Sequence, residues 1–388
     1  MRQHTIILIV GIYLCAQACI DPLEVRIPVY RAQLVVDAAV YEGNETQRVK
    51  LFMSAPLNGR EEFQNPLPVS NADVRIVVNN SNEVVLNEIG PGNYESNSAE
   101  LMGVAGNSYQ LLITTADGTQ YASDVQLMQA AGEIRDLYYE FVPQHSYNSR
   151  TGLYEDAFYV YLDAQADAQS NGLLRWRYEG IYENQTNPEL HFFVIGTPAG
   201  PIRVPDPLPC SGYSAQVDST TNPAAILQTP NGPIYRVGDC SCCECWVYEN
   251  NGRVNLARNQ FVSDKTFSKV LIAIVPVDRW RFQKRYAIDV TQLSITESVY
   301  DFWKLVESQQ QGANSLFQPN IVIINGNIKN LSNPDDQVLG VFSASARTSK
   351  QLFIERSAVP YNLNAPPVFW NDCRTQFSRS TTEKPLFW

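Results

Sequence analysis

Apolar and polar side chains alternate over short stretches along much of the chain, the period-two pattern of strands with one buried face. Gln33-Leu34-Val35-Val36-Asp37-Ala38-Ala39-Val40 opens the series, and Gly43-Asn44 offers a turn into Gln47–Met53. Further strand-like runs cover Ala72–Val78, Glu83–Leu86, Ser108–Ile113 and Gln120–Val125. The cluster Asn79-Asn80-Ser81-Asn82 and the tight-turn pair Asp117-Gly118 punctuate them. Short strands at this spacing over residues 33–130 predict an immunoglobulin-like β-sandwich of about 100 residues. Its core takes the aromatic and β-branched residues, and the opposite face stays wet.

The small, polar stretch from Met128 to Glu133 marks a junction. Beyond it, residues 131–388 read as a larger β-rich domain, α+β at most, with strands at Leu153–Leu162, Leu173–Tyr178, His191–Ile195 and Lys269–Val275. Arg175-Trp176-Arg177-Tyr178 and Arg279-Trp280-Arg281-Phe282 alternate basic and aromatic residues. On a strand this sets rings on one face and guanidinium groups on the other. Filling a core is the commoner reason for such rings; a binding platform is the sharper one and makes Trp176 and Trp280 candidate ligand contacts. One segment has helical periodicity instead. Ser294 caps it, Glu297 completes a capping box, and Val299, Phe302, Trp303 and Val306 recur on one face. A helix near 295–309 is expected to lay its aromatic stripe on a sheet. Residues 197–238, rich in Pro, Gly, Ser and Thr, predict a long surface excursion pinned by cysteines.

The N-terminus differs from all of this. Arg2, an apolar run from Ile6 to Leu14, and Ala16-Gln17-Ala18-Cys19 have the parts of a secretory signal. The run is too short to cross a hydrocarbon core of about 30 Å as a helix. Cleavage before Cys19 makes residues 1–18 a signal peptide, puts a lipid on Cys19 and leaves 19–32 as a tether. Ordinary secretion and a retained anchor are the competing readings. Roughly 370 of the 388 residues then remain, enough for two ordinary domains or one large one. Net charge is −11 for the whole chain and −12 once Arg2 is removed. Such a surface repels phosphate backbones, which argues against nucleic acid as a partner.

Six cysteines follow Cys19: Cys210, Cys240, Cys242, Cys243, Cys245 and Cys373. In an oxidising compartment an even number predicts up to three disulfides, with pairing unreadable from sequence. Neighbouring cysteines rarely bond to each other, so crosslinks are expected from the 240–245 cluster out to Cys210 and Cys373. The competing reading is a zinc or iron–sulfur site. It fits poorly, because a two-residue spacing occurs only between Cys240 and Cys243 or Cys242 and Cys245. No metal or cofactor is therefore assigned. His145 and His191 stand in no ligand spacing, no G-x-S-x-G elbow is present, and no catalytic residue is named.

Near the C-terminus stand Asn325-Gly326-Asn327-Ile328, Asn333-Pro334 and Val338-Leu339-Gly340-Val341-Phe342-Ser343-Ala344-Ser345, and the chain closes on Cys373-Arg374 and Lys384-Pro385-Leu386-Phe387-Trp388. With Cys245-Trp246 and Leu34-Val35-Val36, these resemble the Bacteroidetes lipoprotein family called domain of unknown function 4249. The resemblance implies an outer-membrane lipoprotein, often encoded beside TonB-dependent receptors, with no activity established and no catalytic residues to carry over. Gly326 and Gly340 then suit backbone positions that a side chain would obstruct, and Phe342 and Trp388 suit apolar anchors. The function expected is that of a non-enzymatic accessory or ligand-capturing partner of a TonB-dependent transporter. Membrane attachment runs through the N-terminal lipid, on a periplasmic or cell-surface face. An envelope hydrolase acting on peptide or glycan, and a purely structural surface scaffold, are the alternatives.

Overall fold

The computed structural model describes residues 32–55, 66–97, 100–216, 225–250, 252–259, 264–312 and 324–388. The signal segment, Cys19 and the tether through residue 31 lie outside them. The chain is mainly β. Its first strands are β1 (Leu34–Tyr41), β2 (Arg48–Met53), β3 (Leu67–Pro68), β4 (Asp73–Val78), β5 (Asn82–Gly90), β6 (Asn93–Glu95), β7 (Ser108–Thr114), β8 (Gln120–Ser123) and β9 (Gln126–Leu127). Then come β10 (Glu133–Asn148), β11 (Leu153–Gln165), β12 (Leu173–Gln185), β13 (Phe192–Thr197), β14 (Gly200–Pro205), β15 (Tyr213–Ser214), β16 (Ala225–Thr229), β17 (Gly232–Arg236), β18 (Glu244–Asn250) and β19 (Asn255–Arg258). The series ends with β20 (Thr266–Pro276), β21 (Arg285–Ser294), helix α1 (Glu297–Gly312), β22 (Ile328–Asn330), β23 (Leu339–Ser345), β24 (Arg347–Glu355), the single-turn α2 (Cys373–Gln376) and β25 (Ser380–Thr381).

Leu34, Val36, Ala38 and Val40 of β1 are buried and the residues between them are not, as the alternation predicts. β5 turns the corner of the first sheet. It pairs with β4 at one end and with β6 at the other, and the β6 pairing shifts register between Glu88 and Gly90. A bulge of this kind bends a strand, so one sheet curls round a single core that includes Leu51, Ile76, Tyr94 and Tyr109. Residues 33–130 do not complete it. β22 joins at β8, and β23 runs parallel to β1. Residues from the far end of the chain thus supply two strands of the first sheet. Two glycines permit the fit. Gly340 has φ +95°, and a Cβ there would stand 1.9 Å from the Val36 carbonyl oxygen; one on Gly326 would stand 1.6 Å from the Gly340 oxygen.

A second core lies between the sheet β10-β11-β20 and the sheet β24-β21-β12-β18-β25, which β19 joins at β12. Phe158, Trp176, Phe282 and Tyr286 fill it. β10 begins where the sequence marks only a junction. Just Ile134 and Leu137 of its sixteen residues are buried, so it carries little alternation to read. Ala346 alone separates β23 in the first sheet from β24 in the second.

Helix α1 starts at Glu297, with the Thr296 carbonyl accepting from Tyr300 N at 2.9 Å. Ser294 is not its cap. It ends β21, where its hydroxyl donates to Gln129 O and accepts from Ala346 N. Val299 is buried against Leu173, Leu293 and Val341, with Phe302 and Trp303 half-buried beside it. Among the described residues no helix is long and apolar enough to cross a membrane.

Candidate functional site

Between β12 and β18 the chain leaves the second core as two ribbons, the hairpin β13–β14 and the small sheet β15-β17-β16. Neither alternates buried and open positions as β1 does, and Ile234 of β17 is the one buried residue in their strands. Phe193, Val194 and Ile195 are consecutive and all exposed, so both faces of β13 meet solvent. Ile202, Ile226 and Leu227 are exposed as well, Ile226 by 57%. Apolar side chains exposed on this scale in one region mark interaction surface. The ribbons are held at the root by disulfides Cys210–Cys242 and Cys240–Cys243, and Cys245–Cys373 ties β18 to α2. Cys242, Cys245 and Cys373 are fully buried, whereas Cys240 is exposed. The Cys240 to Cys243 spacing, which chelating pairs favour, here closes a disulfide.

A cavity of about 380 Å³ opens at that root, lined by Asn187, Glu189, Tyr213, Arg236 and the Cys240–Cys243 pair, with Pro366-Pro367-Val368 as one wall. The wall is fixed by Trp280. Its ring stacks on Phe369 at 4.9 Å and meets Phe377 edge-on at 5.8 Å, while Phe369 O accepts from Asn187 N. Trp280 is half-buried, and Arg279–Phe282 forms a turn rather than a strand. Trp176 is wholly buried, with its indole N–H donating to Gln292 at 2.8 Å. The expectation that both rings face a ligand is corrected for Trp176, which fills the core, while Trp280 is half-buried beside Phe369 and Phe377.

A second cavity, of about 360 Å³, is polar and lies on the outer face of β12 and β21. Register sets Glu179 opposite Asp289 and Arg177 opposite Thr291, and Arg379 and Asn250 complete the lining. Burial pushes the Asp289 carboxyl above the ordinary range, against a hydrogen bond from Gln351. Burial also raises Glu179, opposed by Arg379, with Asp289 adding to the rise. Glu179 keeps an ion pair with Arg379 at 3.4 Å. Asp289 Oδ1 is buried and has no hydrogen-bond partner among the described residues. Arg177 makes no ion pair among them either; it donates to the Tyr41 hydroxyl at 3.2 Å. Arg175, next on this side of β12, lies 3.4 Å from the Trp303 ring centroid. Burial, and then the neighbouring Arg177, pushes it down to about 10.

This charged cavity was missed in the sequence. The strand predicted to end at Tyr178 continues to Gln185, carrying the outward series Arg175, Arg177, Glu179. Asp289 interrupts the apolar run Tyr286–Val290, and a charge inside such a run is the signal that points to it. His145 meets the Tyr159 hydroxyl at 2.7 Å and His191 meets Asp206 O at 2.8 Å; neither lines either cavity. A family model described as "Domain of unknown function (DUF4249)" matches residues 20–351. No curated protein matches the chain.

Proposed function

Since the chain belongs to the DUF4249 family, we propose that it is an outer-membrane lipoprotein that docks its stapled ribbons on a TonB-dependent transporter. The observation that carries this reading is β13, where Phe193, Val194 and Ile195 are all turned to solvent. A strand with both faces apolar and uncovered suits recognition by another chain, which supplies main-chain hydrogen bonds at the edge and pockets for the side chains. The disulfides at the root hold the ribbons in shape while leaving their surfaces free. In this reading the first sheet is an immunoglobulin-like unit, and the lipid on Cys19 confines the chain to the bilayer that holds the transporter. Confinement raises effective concentration, so a modest interface suffices.

Extraction of the full chain from its native envelope in mild detergent tests the reading. Co-migration with a β-barrel receptor is expected, lost in Ile195→Asp/Ile226→Asp with melting unchanged. Recovery of the unaltered chain as a lone monomer overturns it. Palmitate incorporation tests the anchor separately and should vanish in Cys19→Ala.

A further inference from the structure

We propose that the Cys240–Cys243 disulfide is a thiol-exchange site, which takes a cysteinyl peptide in the cavity at the ribbon root and forms a mixed disulfide with it at Cys240. This goes beyond the docking reading and needs no transporter, because both sulfurs and the cavity belong to this chain.

The three disulfides differ in how far they can be reached and in how much they hold. Cys245 and Cys373 are wholly buried, and so is Cys242 of the Cys210–Cys242 pair. Cys240 is exposed and Cys243 half-buried, and both line the cavity of about 380 Å³. Sequence separations are 3 for Cys240–Cys243, 32 for Cys210–Cys242 and 128 for Cys245–Cys373. A disulfide restrains the unfolded chain more as its loop lengthens, so opening Cys240–Cys243 costs the fold least. Main-chain contacts hold this segment whether or not that bond is closed. Ser241 N donates to Cys210 O and Thr186 N to Cys243 O, each at 2.8 Å. Two residues between cysteines is also the spacing of dithiols that open and re-form in oxidoreductases. An exposed disulfide is the labile kind, whereas buried structural ones resist reduction.

The lining selects the substrate class. Glu189, Tyr213 and Arg236 set polar groups beside the disulfide, and Pro366-Pro367-Val368 form an apolar wall facing them. The volume lies within the usual span of small-ligand sites, so a short extended segment fits and a folded domain does not. The partner's thiolate attacks Cys240 Sγ, the more exposed of the two sulfurs. As that bond forms, the bond to Cys243 breaks, and Cys243 leaves as a thiolate that takes up a proton. A second thiolate of the partner then attacks the partner's own sulfur in the mixed disulfide and releases Cys240, which is protonated in turn. Two partner thiols are thereby oxidised to one disulfide, and Cys240–Cys243 is reduced to two thiols. A small disulfide such as oxidised glutathione restores the starting state by the same exchange.

Graded reduction of the folded full chain with reduced glutathione, followed by alkylation and peptide mass measurement, is the first test. Cys240 and Cys243 should be labelled at a thiol concentration at least about tenfold below that which opens either other disulfide. The second test follows oxidation of the dithiol peptide acetyl-Cys-Ala-Ala-Cys-amide by oxidised glutathione. The unaltered chain should speed it, and Cys240→Ala/Cys243→Ala should not. Incubated with the disulfide of acetyl-Ala-Cys-Ala-amide, Cys243→Ala should gain the mass of one peptide at Cys240, about tenfold faster than Cys240→Ala gains it at Cys243. Opening of another disulfide first, no acceleration by the unaltered chain, or equal rates at the two cysteines overturns the proposal. The first test and the acceleration use the unaltered chain, so they decide even if a variant fails to fold.

Discussion

The second core and the stapled ribbons draw on the same residue types and use them in opposite ways. In the core, Phe158, Trp176 and Phe282 are wholly buried, and Trp176 meets Phe267 edge-on at 5.8 Å. On the ribbons, Phe193, Val194, Ile195 and Ile226 face water, so their burial holds nothing together. Two of the three disulfides sit at the ribbon root, and the third joins the core. Where apolar contact cannot set the shape, covalent bonds do. The side chains relieved of that work are the ones free to meet a partner.

The largest effect expected comes from the disulfide inside the core. Cys245 and Cys373 are 128 residues apart in sequence, and closing a loop of that size restricts the unfolded chain by about 5 kcal/mol in the loop-entropy account. Cys245→Ala/Cys373→Ala should lose nearly that much in chemical denaturation. Trp176→Ala comes next, at about 3–5 kcal/mol for a buried ring replaced by a cavity, with Gln292 left without its donor. Phe193→Ala, on the ribbon, should change stability by less than about 0.5 kcal/mol. Equal losses for Trp176→Ala and Phe193→Ala would break the comparison. Between Trp176→Ala and Phe193→Ala in size stands Cys240→Ala/Cys243→Ala. That loop spans three positions, which by the same account contributes about 2 kcal/mol. Its removal should loosen the ribbon root, seen as faster hydrogen exchange in β16 and β17, with the core strands unchanged.

The same contrast explains what the sequence disclosed. β1, β4 and β7 each bury one face and leave the other less covered, so period-two alternation marks them. The ribbons and β10 lack that regularity because few or none of their side chains are buried. Pairing between distant segments leaves still less trace. Val36 lies beside Gly340 across about three hundred residues, and only a glycine compelled by contact hints at it. α1 was legible from its apolar stripe, but the cap was misplaced, since Ser294 serves the β21 end through contacts from Gln129 and Ala346. The opposed Glu179 and Asp289 depend on strand register, which a single sequence does not specify.

Charge separates the two regions as packing does. Asp289 lies on the outer face of a core strand, where burial holds its carboxyl above the ordinary value. The folded chain therefore binds that proton more tightly than the unfolded chain does. Stability tied to this group is full below the unfolded pKa of about 3.9 and is lost as pH rises through the higher folded value. Asp289→Asn removes the loss, so the variant should melt about 2 °C above the parent at pH 7 and level with it at pH 3, a modest figure because the side chain is only partly buried. Asp239 provides the matching test at the ribbon root, where its side chain is 95% exposed beside Arg236. Asp239→Asn should leave the melting temperature nearly unchanged at both pH values. Scanning calorimetry of both variants decides between the regions. A gain for Asp289→Asn that persists at pH 3 would trace it to packing and not to a buried charge.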